Sequence, residues 1–162
     1  MNSGEMKMDK EILEAGDQKQ LKLWVRMLAS STRVVQILNK RMKEYTPLTL
    51  AKFDVLVAID RAPGGVITMS ELSRMLLVSN ANTTGMVSRL MKDNLVEKWA
   101  LPTDRRVYSV AMTSEGRKTL KHAIAIHKKW VDELLGGIEE DKLDGLIELF
   151  DQFKDNLAGV EA

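Results

Sequence analysis

Four side chains in the middle of the chain, Asn82, Arg89, Arg105 and Arg106, are of types that recognise nucleic acid. An asparagine amide donates and accepts in one plane, so it can pair with a base edge; an arginine fork carries a fixed charge to base edges or phosphate oxygens. Enzyme chemistry is harder to assemble. The histidines, His122 and His127, stand five residues apart, which on a helix turns them about 140° from one another, so they do not converge on one metal or one proton. There is no cysteine, which removes thiolate ligands, cysteine nucleophiles, disulfides and thiol-based sensing together. A glycine-rich phosphate loop, a nucleophile elbow and a paired-histidine zinc motif are likewise absent from the sequence. The expected activity is binding, without catalysis and without a cofactor.

Short elements must position these groups. Thr68-Met69-Ser70-Glu71 reads as a capping box, the threonine accepting from the amide three residues on and the glutamate reaching back to the cap. It opens a helix of about two turns that carries Leu72, Met75 and Leu76 inward. Val78-Ser79-Asn80 then supplies a turn and an N-cap for a helix from about Ala81 to Asp93. With Val87 inward and about 100° per residue, this second helix buries Thr83, Val87, Leu90 and Met91, and turns Ala81, Asn82, Gly85, Arg89 and Lys92 outward. Its outer face is polar or nearly bare, so the axis can approach the wall of a major groove closely. Two short helices joined by a tight turn are a helix-turn-helix.

After Asn94 the period shortens towards two. Leu95–Leu101 and Val107–Met112 read as strands of a hairpin whose tip, Pro102 to Arg106, carries Arg105 and Arg106. Cations there suit backbone phosphate or the minor groove. An acid facing phosphate would weaken binding, so Asp104 is expected to hold an arginine or cap the turn.

Long helices flank this unit. From Leu21 to Met42 one stripe runs Leu21, Trp24, Leu28, Val35, Leu38 and Met42, and a second runs Leu23, Met27, Val34 and Ile37. The combined face is wide enough for two partners, one of which another chain can supply. Pro47 ends that helix, and a shorter one follows to Ala62-Pro63-Gly64-Gly65. Thr113 caps a helix bearing Leu120, Ile124, His127, Val131 and Leu134, stopped by Gly136-Gly137. A last helix alternates Leu143, Leu146, Phe150, Phe153 and Leu157, with Asp144, Glu148, Asp151 and Asp155 mostly off the seam.

The chain has 162 residues, 44% of them hydrophobic and 29% charged, which suits one soluble domain, or a small domain with helical extensions. No apolar run reaches the about 18 residues of a membrane span, and the polar Met1–Gln20 stretch lacks a secretory pattern, so the cytoplasm is expected. The net charge of +1 hides a segregation: Arg61–Met112 has seven basic and four acidic residues, whereas Asp132–Ala162 has ten acidic and two basic. The acidic end should face away from phosphate.

These features resemble the MarR-type winged helix regulators, whose wing reads Asp-x-Arg, then a strand, then Leu-Thr-x-x-Gly. Here Asp104-Arg105-Arg106 is followed by Val110-Ala111-Met112-Thr113-Ser114-Glu115-Gly116, with methionine replacing the leucine. The resemblance runs from about Leu21 to Leu157 and includes Met69-Ser70-Glu71-Leu72-Ser73 and Val78 to Gly85. It implies a mainly α fold with a small antiparallel β-wing. The organisation would be an N-terminal extension (1–20), a helical dimerisation region (21–45 and 114–162) and a winged helix-turn-helix (46–113). The DNA-contacting set becomes Ser70, Ser79, Asn80, Asn82, Thr83, Thr84, Arg89, Lys92, Arg105 and Arg106, with Asp104 structural; Thr83 thus stands both on the inner face and within the contacting stretch.

The resemblance further implies a homodimer on a pseudo-palindromic operator in double-stranded DNA, more often repressing than activating. It also implies a small aromatic acid as effector, held between the dimerisation helices and the winged domain. Trp24, Arg26, Met27, Ser30, Arg33 and Phe53 are the candidates for that crevice, although such residues on a helical stripe are commonly core. The run Leu21–Leu28, with Val78-Ser79-Asn80, is similar to a subgroup regulating hydroxycinnamate and related aromatic catabolism, some of whose members answer to acyl-CoA thioesters. A winged helix that binds protein, or DNA architecturally, is the alternative.

Overall fold

The computed structural model describes residues 19–160, so the extension expected over 1–20 lies outside the described residues except at its last two positions, as do the final two residues of the chain. The described chain runs α1 (Lys19–Tyr45), α2 (Leu50–Arg61), a 3-10 turn (Pro63–Gly65), β1 (Val66–Thr68), α3 (Met69–Leu76), α4 (Asn80–Lys92), β2 (Val96–Ala100), β3 (Tyr108–Met112), α5 (Ser114–Leu135) and α6 (Glu140–Val160). It is mainly helical with one small antiparallel sheet, as expected. Two compact units divide it, one ending at Ala123 and the other beginning at Ile124, within α5.

In the first unit, α1 stops where Thr46 competes for the backbone. Its hydroxyl donates to the Met42 carbonyl at 2.7 Å and accepts from the Leu48 amide at 3.0 Å, and Pro47 then prevents the helix from continuing. Thr49 caps α2 by accepting from the Lys52 amide, and Asn39 Oδ1 accepts from the Leu50 amide at 3.2 Å, fastening α1 to the start of α2. Gly64 and Gly65, both at positive φ, let the chain reverse after Pro63 without a side-chain clash.

The sheet order is β1-β3-β2, with Ile67 opposite Val110 and Val96 opposite Met112. These four side chains are buried, and with Met42, Leu48, Leu56, Ile59, Leu72, Val87 and Leu90 they make one core under the helix-turn-helix. Two residues expected inward are instead out. Met75 is 51% and Met91 42% exposed, because α3 and α4 cover one another along a stripe narrower than a three-four periodicity suggests.

In the second unit, α6 leaves Leu146, Phe150, Phe153 and Leu157 exposed along the expected seam, together with Ile147 and Leu149. Gly136 and Gly137 follow the end of α5, as the sequence indicates. Among the described residues, no helix is long and apolar enough to cross a membrane.

Candidate nucleic-acid interface

The helix-turn-helix is fixed by hydrogen bonds at both ends of its turn. Thr68 and Glu71 close the capping box reciprocally: the Glu71 amide donates to Thr68 Oγ1, while Glu71 Oε2 accepts from the Thr68 amide at 3.0 Å and hydroxyl at 2.6 Å. The hydroxyl bond, then the amide bond, hold the Glu71 carboxyl below the usual carboxylate range. At the far end of α3, Leu77 adopts the left-handed conformation, and the amides of Leu77 and Val78 return to the carbonyls of Arg74 and Ser73. Ser79 then caps α4, its Oγ accepting from the Asn82 amide at 3.3 Å.

This geometry sets which faces of α4 meet solvent. Asn80, Ala81, Asn82, Thr84, Arg89 and Lys92 are exposed, and so are Ser70 in the first turn of α3 and Ser79 at the cap. The Arg89 guanidinium lies back over Gly85, where a Cβ would stand 3.7 Å from Nη1; the small residues Ala81 and Gly85 therefore leave the helix surface low, as the sequence suggests. Thr83 requires correction. It is 0% exposed, its hydroxyl accepting from Ser73 Oγ at 2.9 Å and donating to the Ser79 carbonyl at 3.2 Å, so its side chain cannot reach a ligand on the outer face.

The far end of α4 is braced as well. Asp93, the C-cap, accepts from Lys52 Nζ on α2 at 2.5 Å. Sequence reasoning missed this pair, because 41 residues separate its members. Arg89 and Lys92 occupy the last turn of α4, where the helix dipole favours cations.

The wing carries the second cationic group. Asp104 Oδ1 accepts from the Arg106 amide at 3.0 Å and from Nε at 3.2 Å, and Oδ2 lies 3.4 Å from Nη2. The backbone bond, then the side-chain bond, lower the Asp104 pKa from its ordinary value. Asp104 thus holds Arg106 in place, which is the structural part expected of it. Arg106 remains open to solvent, its side chain 91% exposed, and Arg105 is exposed beside it. Along the strands of the wing Lys98 Nζ lies 4.4 Å from the centroid of the Tyr108 ring, a cation–π contact that only the strand register reveals.

The residues expected at an effector crevice do not share one surface. Phe53 is buried in the core and Met27 is half-buried, whereas Trp24, Arg26, Ser30 and Arg33 are exposed along α1. Arg33 lines a shallow hollow of about 400 Å³ near the end of α1, with Lys40, Arg41 and Tyr45. His122 is exposed and His127 half-buried, on successive turns of α5.

Comparison with known proteins agrees with this geometry. The sequence model of the MarR family matches residues 46–107, which span α2, the helix-turn-helix and the wing tip. Over that segment the chain is similar to the MarR family. Among curated relatives, the HTH-type transcriptional regulator YsmB of Bacillus subtilis is 25% identical over 79 residues, covering 49% of this chain and 54% of its own length; the chain thus spans about half of that relative. Two MarR family transcriptional regulators of Streptomyces coelicolor share the fold. AbsC superposes with a TM-score of 0.79 at 20% identity, over 89% of this chain and 97% of its own. Sco3205, solved in complex with DNA, gives 0.79 at 18% identity over 88% and 89%. MarR-type regulators are DNA-binding and non-enzymatic, which agrees with a helix-turn-helix whose exposed residues are amides, hydroxyls and cations.

Proposed function

We propose that this MarR-type DNA-binding regulator acts as a homodimer in the cytoplasm on a pseudo-palindromic operator, most simply as a repressor. The observation that carries the reading is the exposed polar face of α4 beside an exposed arginine pair on the wing, both on a scaffold fixed by caps and a buried hydroxyl pair. A groove-reading helix next to a phosphate-reading hairpin covers two adjacent grooves of one duplex. Asn82 and Arg89 are assigned to base edges or phosphates, Ser70, Ser79, Asn80, Thr84 and Lys92 to the positions around them, and Arg105 and Arg106 to backbone or minor groove.

Dimerisation is supported by apolar side chains that the single chain leaves uncovered. Leu23, Trp24, Leu28 and Val35 are exposed on α1, as are Phe150, Phe153 and Leu157 on α6. Burying a leucine or phenylalanine stabilises by about 2 kcal/mol, so such rows favour a second copy. Two recognition helices about 34 Å apart would then read half-sites one helical turn apart. The proposed domain division keeps 46–113 for DNA and the flanking helices, 21–45 and 114–162, for association. The proposed effector is a small aromatic acid or its CoA thioester, with Trp24, Arg26, Met27, Ser30 and Arg33 of α1 supplying an aromatic wall and cations once two chains associate, and Phe53 left to the core.

The test is fluorescence anisotropy of the purified protein against its own upstream DNA and a shuffled duplex, at about 0.05 and 0.2 M salt. Preference for the upstream DNA that persists at the higher salt is expected. Equal binding to both duplexes would make the protein architectural. Calorimetry with a panel of aromatic acids and thioesters tests the effector; no heat of binding across the panel would remove it.

A further inference from the structure

Leu77 sits in the turn of the helix-turn-helix at φ 53° and ψ 39° with 91% of its surface exposed. Both features are unfavourable for a leucine. The left-handed region brings Cβ against the following carbonyl and costs about 1 kcal/mol or more for a residue other than glycine or asparagine. A side chain so exposed recovers almost none of that through packing. The backbone needs the conformation, since it returns the Leu77 and Val78 amides to the open end of α3, but glycine would supply it without the penalty. Folding therefore does not explain a leucine here, and a residue held in a rare conformation by its surroundings is a mark of function.

Its neighbours indicate what it meets. Leu77 lines one surface depression of about 560 Å³ with Ser70, Ser79 and Asn80, three residues assigned to DNA on other grounds. It precedes the Ser79 cap by two positions, so it stands where α4 would enter the major groove. We propose that Leu77 is a DNA-contacting residue of this interface, pressing its isobutyl group against a deoxyribose and thymine-methyl edge beside the recognition helix. Apolar contact with thymine methyl groups is an established mode of base reading. The inference rests on the DNA-binding reading above.

The experiment compares the full-length protein with Leu77→Gly and Leu77→Asn, both of which accept the left-handed conformation, in denaturant unfolding and in operator binding at several salt concentrations. The expected result is an unfolding midpoint equal to or above that of the unsubstituted protein, and operator affinity about tenfold weaker, the scale of a partly buried leucine. The salt slope should not change, because no charge is removed. Replacing thymine by uracil at the half-site edge should weaken the unsubstituted protein and leave Leu77→Gly unaffected. Operator affinity unchanged in both variants overturns the inference while leaving the DNA-binding reading intact. Lowered stability, or a changed oligomeric state with unchanged DNA affinity, overturns it in favour of a structural or protein-contact role. Failure of the unsubstituted protein to bind any DNA removes both readings.

Discussion

Ser73 Oγ lies 2.9 Å from Thr83 Oγ1 in a pocket closed to water, joining the two helices of the helix-turn-helix through their side chains. The pair belongs to a short relay, because Thr83 also donates to the Ser79 carbonyl and Ser73 Oγ lies 2.9 Å from the Met69 carbonyl. Thr83→Val keeps the shape and removes the hydroxyl. It should destabilise the fold by about 1 kcal/mol, as should Ser73→Ala, and the double variant should cost less than their sum. Denaturant unfolding of the three variants measures this; strict additivity would mean that the hydroxyls act independently.

Gly116 is required for a different reason. An added Cβ would stand 2.0 Å from the Leu95 carbonyl oxygen, and backbone cannot yield as a flexible side chain does. Gly116→Ala should therefore cost about 3 kcal/mol, whereas Gly85→Ala, which meets only the Arg89 guanidinium, should raise the melting temperature by a few degrees, because alanine favours a helix interior over glycine. Calorimetric scans of both variants make the comparison.

The Asp104 carboxyl responds to pH in a direction the geometry sets. Its pKa in the folded chain lies below the unfolded value, so the ionised form favours the ordered wing. That contribution is complete above the ordinary carboxylate pKa of about 3.9 and is lost as pH falls through the lowered folded value. A titration of the Arg106 amide and Nε–H resonances should show one transition with its midpoint below the ordinary value. Asp104→Asn, which can still accept from the Arg106 amide, should abolish that transition and weaken DNA binding less than Asp104→Ala.

Two interface substitutions should separate positioning from reading. Arg106→Ala is expected to weaken binding to operator and shuffled DNA alike and to reduce the salt slope by about one per wing. Asn82→Ala is expected to lose about 1 to 3 kcal/mol on the operator alone. An equal loss on both duplexes would show that Asn82 does not read a base.

Local sequence carried much of this architecture. The Thr68–Glu71 capping box, the Ser79 cap, the hairpin around Asp104 and the stop before Pro47 each depend on residues within five positions of one another, and each is present in the structure. Contacts between distant segments were not legible. Lys52 and Asp93 meet only after α2 and α4 have packed, and Lys98 finds Tyr108 through strand register. Met75 and Met91 show that periodicity gives the centre of a buried face and not its width. Thr83 carries both signals at once, being polar in type and inward in phase, and burial prevailed because Ser73 supplies its partner. Leu77 gave no sign at all, since leucine is not a residue from which a left-handed turn would be read.

Leu95 is where three elements are tied together. Its amide donates to the Leu90 carbonyl near the end of α4, its own carbonyl accepts from Thr113, and Gly116 of α5 lies against that same oxygen; one residue further back, the Asn94 carbonyl accepts from the Thr113 hydroxyl. The wing tip has lighter attachments, the amides of Leu101 and Val107 closing it on the carbonyls of Val107 and Asp104. Opening should therefore be graded along the hairpin. The tip can exchange its amide protons and adjust to the width of a groove while the root stays closed, because freeing the root would release α4, β2 and α5 together. Adaptability is thus confined to the few residues that carry Arg105 and Arg106, and α4, the helix proposed to read sequence, is spared it.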